Sequence, residues 1–92
     1  MYEIYTTKKF DKGVKRCIKR GYNIEKLKKV MELLEQNGNL PQEYKPHKLQ
    51  GKKGNNTWEC HIEPDWLLVW NQFDEKLVMI MVATGTHSDL FN

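Results

Sequence analysis

The apolar positions of this chain change their period once, from helical spacing in the first half to strand-like runs in the second. Tyr2-Glu3-Ile4-Tyr5-Thr6 alternates large and polar side chains, which predicts a short strand with Tyr2 and Ile4 on one face. Thr6 or Thr7 then offers a cap for a helix in which Phe10, Val14, Cys17 and Ile18 form one apolar stripe and lysines and arginines fill the rest of the cylinder. Gly21 ends it. Asn23 caps a second helix, with Leu27, Val30, Met31 and Leu34 at helical spacing and Asn37-Gly38 as its stop, so a helical hairpin is expected.

From Asn39 to Asn56 periodicity is lost, and Pro41, Pro46, Gly51 and Gly54 punctuate a lysine-rich loop. A loop this long in a small domain is more often functional than idle. Trp58-Glu59-Cys60-His61-Ile62 alternates again, placing Trp58, Cys60 and Ile62 toward a core and Glu59 and His61 away from it. Pro64 breaks the ladder. Trp66 to Trp70 is apolar on both faces, as in a central strand, Asn71 to Lys76 reads as a hairpin connection, and Leu77 to Val82 as a further apolar strand. Gly85 begins a tail. The order β-α-α-β-β-β predicts an α+β fold, with an N-terminal helical hairpin packed on one face of a mainly antiparallel sheet and the other face left for a ligand.

Length then bounds the answer: 92 residues are expected to form a single domain, 1–92, with one modest core. No apolar run approaches the roughly 18 residues a spanning helix needs, and the N-terminus lacks a signal-peptide layout, so a cytoplasmic location is expected. Cys17 and Cys60 each fall on an apolar position and read as reduced core thiols. The net charge of +3 conceals a division, with fourteen Lys or Arg against six Asp or Glu up to Asn56, and one against six from Thr57 onward. That asymmetry fits a nucleic-acid or acidic partner for the basic half and equally a solvated helix face.

Candidate chemistry rests on three histidines: His47 in the basic loop, His61 at a strand end and His87 in the tail. No pair has a metal-ligand interval, and the cysteines complete no tetrahedral set, so neither metal nor cofactor is expected. Cys60 and His61 are strand neighbours pointing to opposite faces, which argues against a nucleophile pair. What remains is an imidazole set near Asp65 and among lysines, the equipment for proton transfer on a polyanion.

Three stretches carry a resemblance: Tyr44-Lys45-Pro46-His47-Lys48-Leu49-Gln50-Gly51, His61-Ile62-Glu63-Pro64-Asp65-Trp66-Leu67-Leu68 and Thr84-Gly85-Thr86-His87-Ser88-Asp89-Leu90-Phe91. Together, in this order and at these separations, they closely resemble the YafQ branch of the RelE/ParE toxins of bacterial type II toxin-antitoxin systems. The resemblance implies the same small α+β fold and a ribosome-dependent endoribonuclease that cuts mRNA in the A site. It also implies silencing by a cognate, DinJ/RelB-like antitoxin. By family position His87 is the expected general acid. His47, His61 and Asp65 are expected to activate the ribose 2′-hydroxyl or to orient the group that does, with the base undecided among them. Trp66 and Phe91 are expected to line the site, where stacking on a base contributes on the order of 1 to 3 kcal/mol, although core and tail-anchor roles serve these two rings as well. Lys45, Lys48 and Lys52 are the expected substrate-binding cations.

At one position the chain departs from the family pattern. An arginine aimed at the scissile phosphate is expected just before Thr84, and Ala83 stands there. Losing such a charge typically costs about 2.7 to 4 kcal/mol at the transition state, so impaired cleavage is expected: either Ala83 is an inactivating substitution introduced so that a toxic protein could be produced, or a loop lysine such as Lys48 or Lys52 takes the place of the arginine. Two other readings remain at this level: a ParE-like inhibitor of DNA gyrase, and a ribosome- or RNA-binding module that does not cut.

Overall fold

The computed structural model describes residues 1–49 and 56–91. A short strand, β1 (Glu3–Thr6), leads into α1 (Lys8–Lys19) and α2 (Ile24–Asn37). A 3-10 turn (Gln42–Tyr44) and a two-residue strand, β2 (His47–Lys48), follow; then come β3 (Thr57–Glu63), β4 (Trp66–Phe73), β5 (Val78–Gly85) and a short C-terminal helix, α3 (His87–Phe91). Local chemistry sets the helix boundaries. Thr7 caps α1 by accepting from the Phe10 N–H, and Asn23 caps α2 by accepting from the Glu25 N–H. At the end of α1, Gly21 N–H donates to Ile18 O and Tyr22 N–H to Cys17 O, a Schellman closure that satisfies two otherwise orphaned carbonyls.

The five strands run in the order β1-β5-β4-β3-β2. β1 lies parallel to β5 and every other pair is antiparallel. The expected α+β fold is therefore present, with additions. The stretch read as structureless contains the 3-10 turn and β2, β4 continues to Phe73 through the expected connection, and the tail is helical. Gln72 explains the longer strand: its amide donates to Gly38 O and Asp74 Oδ1, while its carbonyl accepts from Trp70 Nε1.

The main core lies between the helices and one face of the sheet. Phe10, Cys17, Leu27, Val30 and Leu34 from the helices meet Cys60, Leu68, Trp70, Met79 and Met81 from the strands. Burying each large apolar side chain contributes about 1.5 to 3 kcal/mol relative to leaving it exposed. Ile18, expected on the α1 stripe, is instead exposed; Gly13 takes part in the contact, bringing the α1 backbone against Thr84 of β5. Both cysteines are fully buried. The second sheet face also departs from expectation. At its centre Leu67, Val69, Ala83 and Glu59 are all buried, so what this face offers a ligand lies toward one end. No helix among the described residues is long and apolar enough to cross a membrane.

Candidate active site

Strand register decides which side chains meet on that second face. His61 pairs with Leu67 and Leu67 with Gly85, one row across β3, β4 and β5. The next row runs His47, Glu59, Val69 and Ala83 across β2 to β5. Adjacent strands lie about 4.8 Å apart, so His61 and the end of β5 are separated by about two such spacings, and α3 brings His87 back toward the gap. The hairpin between β3 and β4 is tight, with Glu63 paired to Trp66 and only Pro64 and Asp65 between them. Asp65 therefore stands at the tip of a turn, exposed and beside the start of α3.

The contacts that result are specific. Asp65 Oδ1 accepts from the His87 backbone N–H at 3.0 Å and lies 2.9 Å from His87 Nδ1. Hydrogen bonds from the His87 backbone and then its ring hold the Asp65 carboxyl below the usual carboxylate range. With Nδ1 committed to Asp65, the opposite nitrogen, Nε2, is the one left to act elsewhere. The His61 ring centroid is 6.0 Å from that of His87, and His61 Nδ1 lies 3.3 Å from Pro64 O. The exposed Phe91 ring stands 6.2 Å from that of His87. His61, Asp65, His87 and Phe91 thus converge.

His47 shares the face but is held apart from this group. Its Nδ1 is 3.0 Å from Lys45 O and its Nε2 3.2 Å from Glu59 Oε1, so both ring nitrogens face acceptors. Glu59 is a residue the alternation placed outward, yet it is buried beneath His47. Lys45 lines a cleft of about 240 Å³ with Glu43, His61, Ile62, Glu63 and Pro64.

Two expected substrate contacts are corrected. Trp66 is 2% exposed, packs its ring 4.9 Å from Tyr22 and donates its Nε1–H to Thr84 Oγ1 at 2.9 Å. It is a core residue on the helix side and has no free face for a base. Lys48 pairs opposite Trp58, which turns its side chain to the sheet face opposite His47; its ammonium lies 5.7 Å from the Trp58 ring centroid and it lines a separate cavity with Phe73 and Asp74. Lys48 therefore does not replace an arginine at the site. Lys52 lies outside the described residues. Ala83 is buried in the C-terminal half of β5, and sequence reading passed over the partners of Asp89: Arg16 of α1 and Arg20 at its C-terminal cap both reach it. The spacing Thr86-x-x-Asp89 was the available signal, being that of a capping box.

Among the described residues, no group of three or more His, Cys, Asp or Glu is placed to hold a metal ion. The family model described as "Bacterial toxin of type II toxin-antitoxin system, YafQ" matches residues 2–92. The mRNA interferase toxin YafQ of Escherichia coli strain K12 is 43% identical over 84 residues, which cover 89% of this chain and 87% of that protein. Among solved structures, that of the Escherichia coli DinJ-YafQ complex matches with a TM-score of 0.91 and 36% identity, each chain covered in full. A metal-bound toxin from Helicobacter pylori matches with a TM-score of 0.88 and 38% identity, over 99% of this chain and 100% of that one.

Proposed function

The chain belongs to the YafQ family of bacterial type II toxins, and from that premise we propose that it is an mRNA interferase, a toxin that cleaves mRNA in the ribosomal A site and is silenced by a DinJ-like antitoxin. Its place of action would be the cytoplasm, where ribosomes are. The observation that carries this reading is the convergence of His61, Asp65, His87 and Phe91 at one end of the second sheet face.

The reaction is written on these side chains. His61, whose Nε2 has no hydrogen-bond partner among the described residues, takes the proton from the ribose 2′-hydroxyl. The 2′-oxygen then attacks the adjacent phosphorus, the bond from phosphorus to the 5′-oxygen breaks, and His87 Nε2–H protonates the departing oxygen. The products are a 2′,3′-cyclic phosphate and a 5′-hydroxyl, with one proton accepted and one given. Asp65 fixes the tautomer and aim of His87. Lys45 supports the phosphate, and Phe91 offers a ring for a base to stack on. His47, whose two ring nitrogens lie against Lys45 O and Glu59 Oε1, supports the site from the β2 edge.

Primer extension on translated mRNA tests the proposal in this chain and in the Ala83→Arg variant. Replacing His87 by Gln is expected to lower cutting by about 10² to 10⁴-fold while leaving ribosome association intact. Equal cutting with and without His87 would remove the acid-base reading. Absence of any cut in both backgrounds, with gyrase inhibition present, would favour the gyrase reading; salt-sensitive ribosome association without any cut would favour the non-cleaving module.

A further inference from the structure

The two arginines of the chain both stand in α1 or at its end, far in sequence from the C-terminal motif, and both turn toward one carboxylate within it. Arg20 donates from Nη1 and Nη2 to Asp89 Oδ2 and Oδ1 at 2.6 and 3.1 Å, and Arg16 Nε lies 3.5 Å from Oδ2. The same carboxylate accepts the Thr86 N–H at 2.9 Å, while Thr86 Oγ1 accepts the Asp89 N–H at 3.1 Å. This is a reciprocal capping box around the first turn of α3. The Asp89 side chain is 12% exposed although its helix is at the surface.

A five-residue helix does not hold its own conformation in water. α3 is gripped on two sides: Asp65, from the β3–β4 turn, holds His87, and Asp89 ties the same turn of helix to α1. A bidentate guanidinium fork is directional, so it fixes the rotation of α3 as well as its distance from α1. We infer that Arg20, acting through Asp89, is a positioning residue for cleavage that sets the aim of the His87 ring. The inference rests on the reading of His87 as general acid. A clamp that merely anchored the C-terminus would change stability and leave the geometry of His87 alone.

The test compares the intact protein with Arg20→Ala, Arg20→Lys, Asp89→Asn and His87→Gln. It measures mRNA cleavage on translating ribosomes and the long-range proton–nitrogen spectrum of the three histidine rings. Since a displacement of about 1 Å costs on the order of a hundredfold in rate, Arg20→Ala is expected to lower turnover by roughly that factor with the half-saturating ribosome concentration unchanged. Arg20→Lys keeps the charge without the fork and is expected to recover only part of it. In both, the His87 nitrogen signals are expected to move while those of His47 and His61 stay. An unchanged His87 spectrum in Arg20→Ala overturns the inference, whatever the activity. Should that variant fail to fold, the near-isosteric Asp89→Asn carries the same two measurements. Wild-type cutting by His87→Gln would instead remove the general-acid reading, and the spectrum would still decide whether the clamp positions the ring.

Discussion

Ala83 is buried on the sheet face that carries His47 and His61. Its row across the sheet continues through Val69 to Glu59 and His47, so a longer side chain at this position starts from the floor of the face that carries the histidines. Lys48, the nearest substitute the sequence suggested, is on the opposite face. Ala83→Arg is therefore expected to raise cleavage by about a hundred- to a thousandfold, measured by primer extension on the same message with ribosome affinity unchanged. An equal rate in both proteins would show that no cation is wanted at this point. Trp66 shows the complementary case: a run apolar on both faces gives no sign of which way a ring points, and the register of β4, the packing on Tyr22 and the hydrogen bond to Thr84 turn it to the helix side.

Elements rather than single residues decide where the side chains of the candidate site sit. α1 crosses β5 so closely that a Cβ on Gly13 would lie 2.4 Å from Thr84 O, a backbone atom that cannot move aside cheaply. Gly13→Ala is expected to push the helix off the sheet and cost about 1 to 3 kcal/mol, read as a lowered denaturation midpoint with unchanged slope. α3 depends on charge instead. The Arg20 hydrogen bonds and then the Thr86 N–H hold the Asp89 carboxyl well below the usual carboxylate range. A depressed value stabilises the fold above the unfolded carboxylate value of about 3.9 and loses that contribution as pH falls below it. Thermal unfolding should therefore show wild type more stable than Asp89→Asn by a constant margin above about pH 5, with the margin closing in strong acid. A margin that did not change with pH would mean that the ion pair contributes nothing.

At the scale of the whole molecule, one main core joins helices to sheet, and the cysteines report on it. Cys17 and Cys60 are fully buried. Burial pushes the Cys60 thiol up to about 12 and raises Cys17 as well, so neither is an available nucleophile near neutral pH. Alkylation at pH 8 is expected to be slow, to proceed at the rate at which the fold opens, and to become immediate for both thiols in denaturant. Rapid labelling of the native protein would contradict the burial. Most of this architecture was legible beforehand, because caps and apolar stripes are written within a few residues of where they act. The site was legible only in part: His61, Asp65 and His87 were named from the motifs that carry them, whereas the Glu59 partner of His47 and the Arg20 partner of Asp89 come from other strands and helices.

What the sequence determined by itself is whatever depends on the two local periods: the helical hairpin, its caps, the strand runs and the side of β3 on which His61 lies. What the tertiary structure decided is what depends on register. The irregularities between His61 and Glu63 and between Val69 and Trp70 shift which residues stand opposite one another. A single-residue shift exchanges the faces of a strand. Local spacing carries no record of such a shift. For that reason the row that places Ala83 on the histidine face, and the fold of α3 onto α1 that holds His87, belong to the folded molecule alone.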